Sequence, residues 1–71
     1  MKLRFTHHAQ YRISERNIGI EDIKSVISAP DYSTDTHDGC VLARKKVVGG
    51  TLEVIYRKEK NVIIITTIYF L

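Results

Sequence analysis

Cysteine, proline and tryptophan are nearly or wholly missing, with one cysteine, one proline and no tryptophan. Cys40, standing alone, excludes an intramolecular disulfide framework and fits a reducing compartment. The lone Pro30 punctuates the chain once, disfavouring helical geometry at Ala29. No apolar run reaches membrane length: Val62 to Leu71 is about half of the roughly 20 residues a spanning helix needs. Met1 to Phe5 alternates charged and apolar residues, so no secretory signal pattern is visible, and a cytoplasmic location with no membrane partner is expected. Internal repeats, low-complexity segments and linkers are also lacking. With 71 residues, the chain reads as a single domain, 1–71, and a chain this short buries only about 60% of its unfolded surface.

What is present is ordinary in amount and uneven in placement. Apolar residues make up 44% and charged residues 27%, with a net charge of +3. The sequence divides into a basic start (residues 1–20, net +3), an acidic middle (21–43, net −4) and a basic end (44–71, net +4). Basic ends around an acidic middle suggest a polyanion-facing side if the ends meet in the fold.

Lys2-Leu3-Arg4-Phe5 alternates and predicts a short edge strand. Thr6 is a good N-cap for a helix from His7 to Asn17, with Asn17 suited to a left-handed C-cap. Gly19 caps a second helix whose Ile20, Ile23, Val26 and Ile27 carry a one-sided 3.6-residue period. That helix stops by Ala29. Asp31 to Gly39, rich in Asp, Ser and Thr, reads as a loop.

Strands follow. Gly49-Gly50 is a two-residue hairpin signal, and centring the turn there pairs Val47 with Leu52, Lys46 with Glu53 and Arg44 with Ile55. A second turn within Lys58-Glu59-Lys60-Asn61 pairs Arg57 with Val62 and Tyr56 with Ile63. Continued without interruption, this register puts Val47, Leu52, Val54, Tyr56, Ile63 and Ile65 on the helix-covered face, leading on to Thr67 and Tyr69. Arg44, Lys46, Glu53, Ile55, Arg57, Ile64, Thr66 and Ile68 then share the other face. The expected class is α+β: two helices on one face of a three- to four-stranded antiparallel sheet, in the order (β)ααβββ.

Chemistry concentrates in the first helix. His8, Arg12 and Arg16 follow at four-residue spacing and share one face, with the apolar stripe of Ala9 and Ile13 beside them. Thr67 and Tyr69, on the helix side by the register above, would converge on that stripe. One ring titrating near neutrality, two permanent cations and two hydroxyls are a set suited to RNA cleavage through the 2′-hydroxyl. That reaction needs a base, an acid and positive charge at the phosphate, and it needs no metal. The candidate catalytic set is therefore His8, Arg12, Arg16, Thr67 and Tyr69. Arg44, Lys46 and Arg57 form a candidate nucleic-acid-binding set. The competing reading is structural, since an Arg at a helix edge is usually solvated or paired, with Glu15 or Glu53 as available partners.

Other features point less sharply. His37 with Asp35, Asp38 and Cys40 has ligand-type residues without zinc spacing, and His7 and His8 face different ways on a helix, so no metal or cofactor is expected. Tyr11, Tyr32 and Tyr56 are candidates for base stacking, Tyr56 being the one expected in the core. Cys40 has no basic neighbour in sequence to mark it as a nucleophile.

Thr6, His8-Ala9, Arg12, Arg16, Ile18, Glu21-Asp22-Ile23, Pro30-Asp31 and Thr67-Ile68-Tyr69 together resemble a family of small, functionally uncharacterised prokaryotic proteins. Asn17 stands where that pattern has Gly, and Gly19 where it has a Ser cap. The implied topology is similar to RelE-like and barnase–EndoU-like small ribonucleases, which include toxins of toxin–antitoxin systems. The resemblance implies a metal-independent endoribonuclease with His8 as general acid/base, Arg12 and Arg16 as a phosphate clamp, and the Thr67 and Tyr69 hydroxyls as donors or positioning groups. Its partners would be RNA and an antitoxin-like protein or a second copy; the mixed face of Ile55, Ile64 and Ile68 suggests self-association or such a protein partner. The rival expectations are a non-catalytic nucleic-acid-binding module and a small regulatory protein with a structural His-Arg-Arg stripe.

Overall fold

A computed structural model describes residues 1–71. The elements are β1 (Lys2–Phe5), α1 (His7–Arg16), α2 (Ile20–Ser28), β2 (Tyr32–Asp35), β3 (Val41–Val47), β4 (Gly50–Glu59) and β5 (Val62–Phe70). They form an α+β domain with both helices on one face of a five-stranded sheet ordered β1-β5-β4-β3-β2. No helix is long and apolar enough to cross a membrane.

The helices sit where their local signals put them. The Thr6 hydroxyl accepts from the Ala9 amide at 3.2 Å, satisfying one of the free donors of α1. Asn17, at φ 53°, ends the helix in the left-handed conformation its short polar side chain tolerates. Gly19 is the N-cap of α2, and Ile23, Val26 and Ile27 are its buried stripe. The end of α2 has a helper from the sheet: the Lys45 ammonium donates to the carbonyl of Ala29 at 2.8 Å.

The core lies between helices and sheet. Ala9, Ile18, Ile23, Val26 and Ile27 pack on Ala43, Leu52, Val54, Tyr56, Ile65 and Ile68, with Leu3, Phe5 and Ile13 at the margin. Buried aliphatic side chains contribute about 1.5–3 kcal/mol each, so this one cluster supplies most of the drive to fold.

The sheet departs from expectation in four ways. First, it has five strands and is mixed: β1 runs parallel to β5, Phe5 opposite Ile65, because two helices lie between them and return the chain to the same end. Second, the stretch expected as a loop contains β2. Its four residues are all exposed, so no apolar alternation marks them; backbone pairing of Tyr32 with Arg44 makes the strand.

Third, the hairpin turn is Val48-Gly49, and Val47 pairs with Gly50. Gly49 has φ 105° and Gly50 φ 137°, backbone conformations that residues with side chains rarely adopt, so both positions favour glycine. Arg44 therefore faces Glu53 instead of Ile55. The second turn is Lys60-Asn61, with Glu59 opposite Val62 and Lys60 at φ 57°.

Fourth, β5 carries a bulge. Tyr56 pairs with Ile65 but Ile55 pairs with Thr67, leaving Thr66 as the extra residue. One extra residue reverses the faces beyond it. Ile68 therefore points into the core at 0% exposure, and Thr67 and Tyr69 move to the open face with Ile55 and Glu53. The placement of Thr67 and Tyr69 on the helix side, and of Ile68 on the open face, is thereby corrected.

The bulge predicts an asymmetry that urea denaturation can read. Ile68→Ala should cost about 2–5 kcal/mol, as for other buried aliphatic truncations. Thr67→Ala should cost less than about 1 kcal/mol. A regular β5 would give the reverse order.

Candidate functional site

The open face carries a row of four side chains, one from each of four neighbouring strands. Tyr32 on β2 stands opposite Arg44 on β3, Arg44 opposite Glu53 on β4, and Glu53 opposite Tyr69 on β5. Directly opposed residues lie close enough for their side chains to bond, and here every neighbour does. The Arg44 guanidinium lies 5.6 Å from the Tyr32 ring centroid and donates from Nε to Glu53 Oε1 at 2.6 Å. The Tyr69 hydroxyl donates to Glu53 Oε2.

Glu53 is 1% exposed although no helix covers this face. Its flanking side chains bury it, and both its oxygens are occupied. A buried carboxylate without such partners would be strongly unfavourable. The row perturbs its members. The Tyr69 phenol titrates above its ordinary range, first because it donates to Glu53, then through burial and the Glu53 charge; Arg44 and Arg12 offset part of this. Arg44 is held still more firmly protonated, chiefly by its hydrogen bond to Glu53.

Two hydrogen bonds from Thr6 locate the start of α1 against β5. The Thr6 amide bonds the carbonyl of Ile65, and the Thr6 hydroxyl bonds that of Thr66 at 3.1 Å. From there α1 advances along β5, bringing the half-buried Arg12 within electrostatic range of Tyr69. α1 climbs about 1.5 Å per residue, so His8 stands about 6 Å behind Arg12 on the same stripe. β5 climbs about 3.3 Å per residue, so Thr67 stands about 6.6 Å behind Tyr69. The spacing from His8 to Arg12 is therefore similar to that from Thr67 to Tyr69.

Among the expected catalytic residues, Arg12 and Tyr69 are thus within electrostatic range of each other. His8 and Arg16 are exposed at the start and end of α1, and Thr67 is half-buried on the open face. None of the four ion pairs in the chain involves His8, Arg12 or Arg16. Tyr69 is not a free donor, since its proton is given to Glu53. Arg44, Lys46 and Arg57 share the open face with Arg4 and Lys2. Arg44 is tied to Glu53 and Arg57 to Glu59 at 2.8 Å, while Lys46 is exposed and outside every ion pair.

Tyr56 is buried in the core, where desolvation, then the charge of Asp35, raises its phenol pKa. Tyr11 is exposed and bonded to Glu15. No three His, Cys, Asp or Glu side chains come together to hold a metal ion, and the surface has no concave pocket.

Glu53 is the residue that sequence reasoning underweighted, treating it only as an ion-pair partner. One signal was available. A carboxylate between Leu52 and Val54, in a strand with neighbours on both sides, needs a cationic or donor partner, and a turn at Val48-Gly49 supplies Arg44.

The residues of the site span both ends of one family pattern. Residues 5–70 match the family described as "Domain of unknown function (DUF4258)". The chain belongs to the DUF4258 family. The match leaves out only residues 1–4 and 71, so the DUF4258 region includes His8, Arg12, Glu53 and Tyr69 together. No curated protein and no solved structure matches the chain.

The site predicts a titration. The folded pKa of Tyr69 lies above the unfolded value, so its contribution to stability is complete below about pH 10 and is lost as pH rises through the folded pKa. Absorbance titration should show two phenols ionising above the ordinary range, Tyr56 and Tyr69; the second should be absent in Tyr69→Phe, and Glu53→Gln should bring it down. An unmoved midpoint in Glu53→Gln would contradict the row as described.

Proposed function

We propose that this protein is a metal-independent endoribonuclease whose site is the seam between α1 and β5 on the open sheet face. The observation that carries the reading is the buried Glu53 carboxylate on the open face, held by Arg44 and by the Tyr69 hydroxyl, with Arg12 within electrostatic range of Tyr69. Perturbed titratable groups gathered away from the core are a mark of functional sites. A buried ion pair by itself adds little stability over an apolar replacement.

The reaction assigns roles to the chain's own residues. His8, exposed near the start of α1, acts as general acid/base on the 2′-hydroxyl or the leaving oxygen. Arg12 holds the phosphate oxygens through its planar fork, with Arg16 one turn further along. Lys2, Arg4 and Lys46 attract the rest of the strand across the open face. Basic side chains gathered on one sheet face, Lys2, Arg4 and Lys46 among them, suit an extended polyanion. The resemblance of the sequence pattern to RelE-like and barnase–EndoU-like ribonucleases, some of them toxins with protein antitoxins, is an expectation that this reading carries forward, and a shared fold would not by itself establish activity.

One observation favours a second reading, RNA binding without cleavage. His8 has no hydrogen-bond partner in the chain to orient its ring, whereas a working base is usually oriented by a third group.

The deciding experiment incubates purified protein with a mixed RNA pool in excess chelator, beside His8→Ala, with both proteins shown to be folded by circular dichroism. The parent should cleave, and His8→Ala should be slower by about 10²–10⁴-fold, the usual share of a general acid/base. Equal cleavage by both would remove His8 from the mechanism. Salt-sensitive RNA binding with no cleavage by either would select the second reading.

A further inference from the structure

The direction of a single hydrogen bond changes what Tyr69 can recognise. A phenol has one proton to donate and lone pairs that accept. The Tyr69 proton is committed to Glu53, whose other oxygen is held by Arg44. Glu53 is fully enclosed and accepts only, so the phenol cannot turn its proton elsewhere without stranding a buried charge. Towards a ligand, Tyr69 therefore presents an acceptor. It is half-buried and accessible from the open face, beside the Arg12 stripe.

A phosphate oxygen carries no proton and would be repelled by that acceptor. A ribose 2′-hydroxyl can donate to it, and this hydroxyl is the group that distinguishes RNA from DNA. Arg12, with donors only, complements it by taking the adjacent phosphate. The two neighbours thus divide the ligand: cation to phosphate, phenol oxygen to sugar.

We propose that Tyr69 is a specificity-determining residue that accepts a hydrogen bond from the ligand's 2′-hydroxyl, and that Glu53 is the positioning residue that sets this polarity. The proposal rests on the RNA-directed reading above but needs no cleavage. It also replaces the expected role of Tyr69 as a donor. Glu53 touches no ligand and acts only through Tyr69 and Arg44.

The test uses the cleavage-deficient His8→Ala protein as its parent and compares its affinity for a single-stranded RNA and for DNA of the same sequence, in low salt and chelator, with a 2′-O-methyl version of the RNA as a third probe. The parent should prefer RNA by about fivefold, the scale of one hydrogen bond, and should bind the 2′-O-methyl strand like DNA. Tyr69→Phe should lose the preference by weakening RNA while leaving DNA unchanged. Glu53→Gln should lose it as well, together with the downward shift of the Tyr69 phenol. That shift is a readout that a merely structural Glu53 would share, but the loss of sugar discrimination is not.

An RNA preference that survives in Tyr69→Phe overturns the proposal, as does equal parental affinity for RNA and DNA. Should Glu53→Gln fail to fold, Tyr69→Phe, which keeps the ring, decides alone. Discrimination without any cleavage would sink the ribonuclease reading and leave this proposal standing, whereas cleavage that Tyr69→Phe leaves equally RNA-selective would do the opposite.

Discussion

Thr6 is the point at which helix, sheet and site are joined. Its hydroxyl accepts from the Ala9 amide, capping α1, and donates to the carbonyl of Thr66, the bulged residue of β5. The Thr66 hydroxyl in turn bonds the carbonyl of Ile55 across the strand at 3.1 Å. These bonds satisfy polar groups that a bulge and a helix start would otherwise leave unpaired. They also set where α1 begins along β5.

The bulge has a larger consequence than its size suggests. Before it, β5 offers Ile63 and Ile65 to the core; beyond it, Ile68 and Phe70 take that role. Without the added residue Ile68 would face solvent and Tyr69 would lie under the helices, far from Glu53. The same local irregularity therefore completes the core and delivers the phenol to the open face. Bulges are common where a side chain must be re-aimed.

On that open face the row from Tyr32 to Tyr69 is mutually dependent. Glu53 is tolerable only because Arg44 and Tyr69 cover it, and Arg44 is oriented by Glu53 on one side and the Tyr32 ring on the other. Such a row is stiff compared with the free lysines around it, because each member has lost its alternatives. The surface pairs Arg57–Glu59 and Lys24–Glu21 are exposed and contribute about 0–1 kcal/mol each. The Glu53 cluster is of a different kind: it orders side chains at the cost of burying charge.

Much of this was legible from residues close together in sequence. Caps at Thr6, Asn17 and Gly19, the stop before Pro30, and the 3.6-residue stripe of α2 depend on groups within about one helical turn, and both helices follow them. The three long strands were also readable, as was the basic stripe of His8, Arg12 and Arg16. The polar edge strand β2, the parallel pairing of β1, the choice of Val48-Gly49 as turn and the bulge at Thr66 were not. Each depends on which distant backbone groups meet, as Thr6 meets Thr66 across 60 positions. A local pattern carries no information about that pairing. The sequence by itself determined the elements and the charged residues they bear; only the tertiary structure decided the face that Tyr69 occupies, because strand register is settled by contacts across the whole sheet.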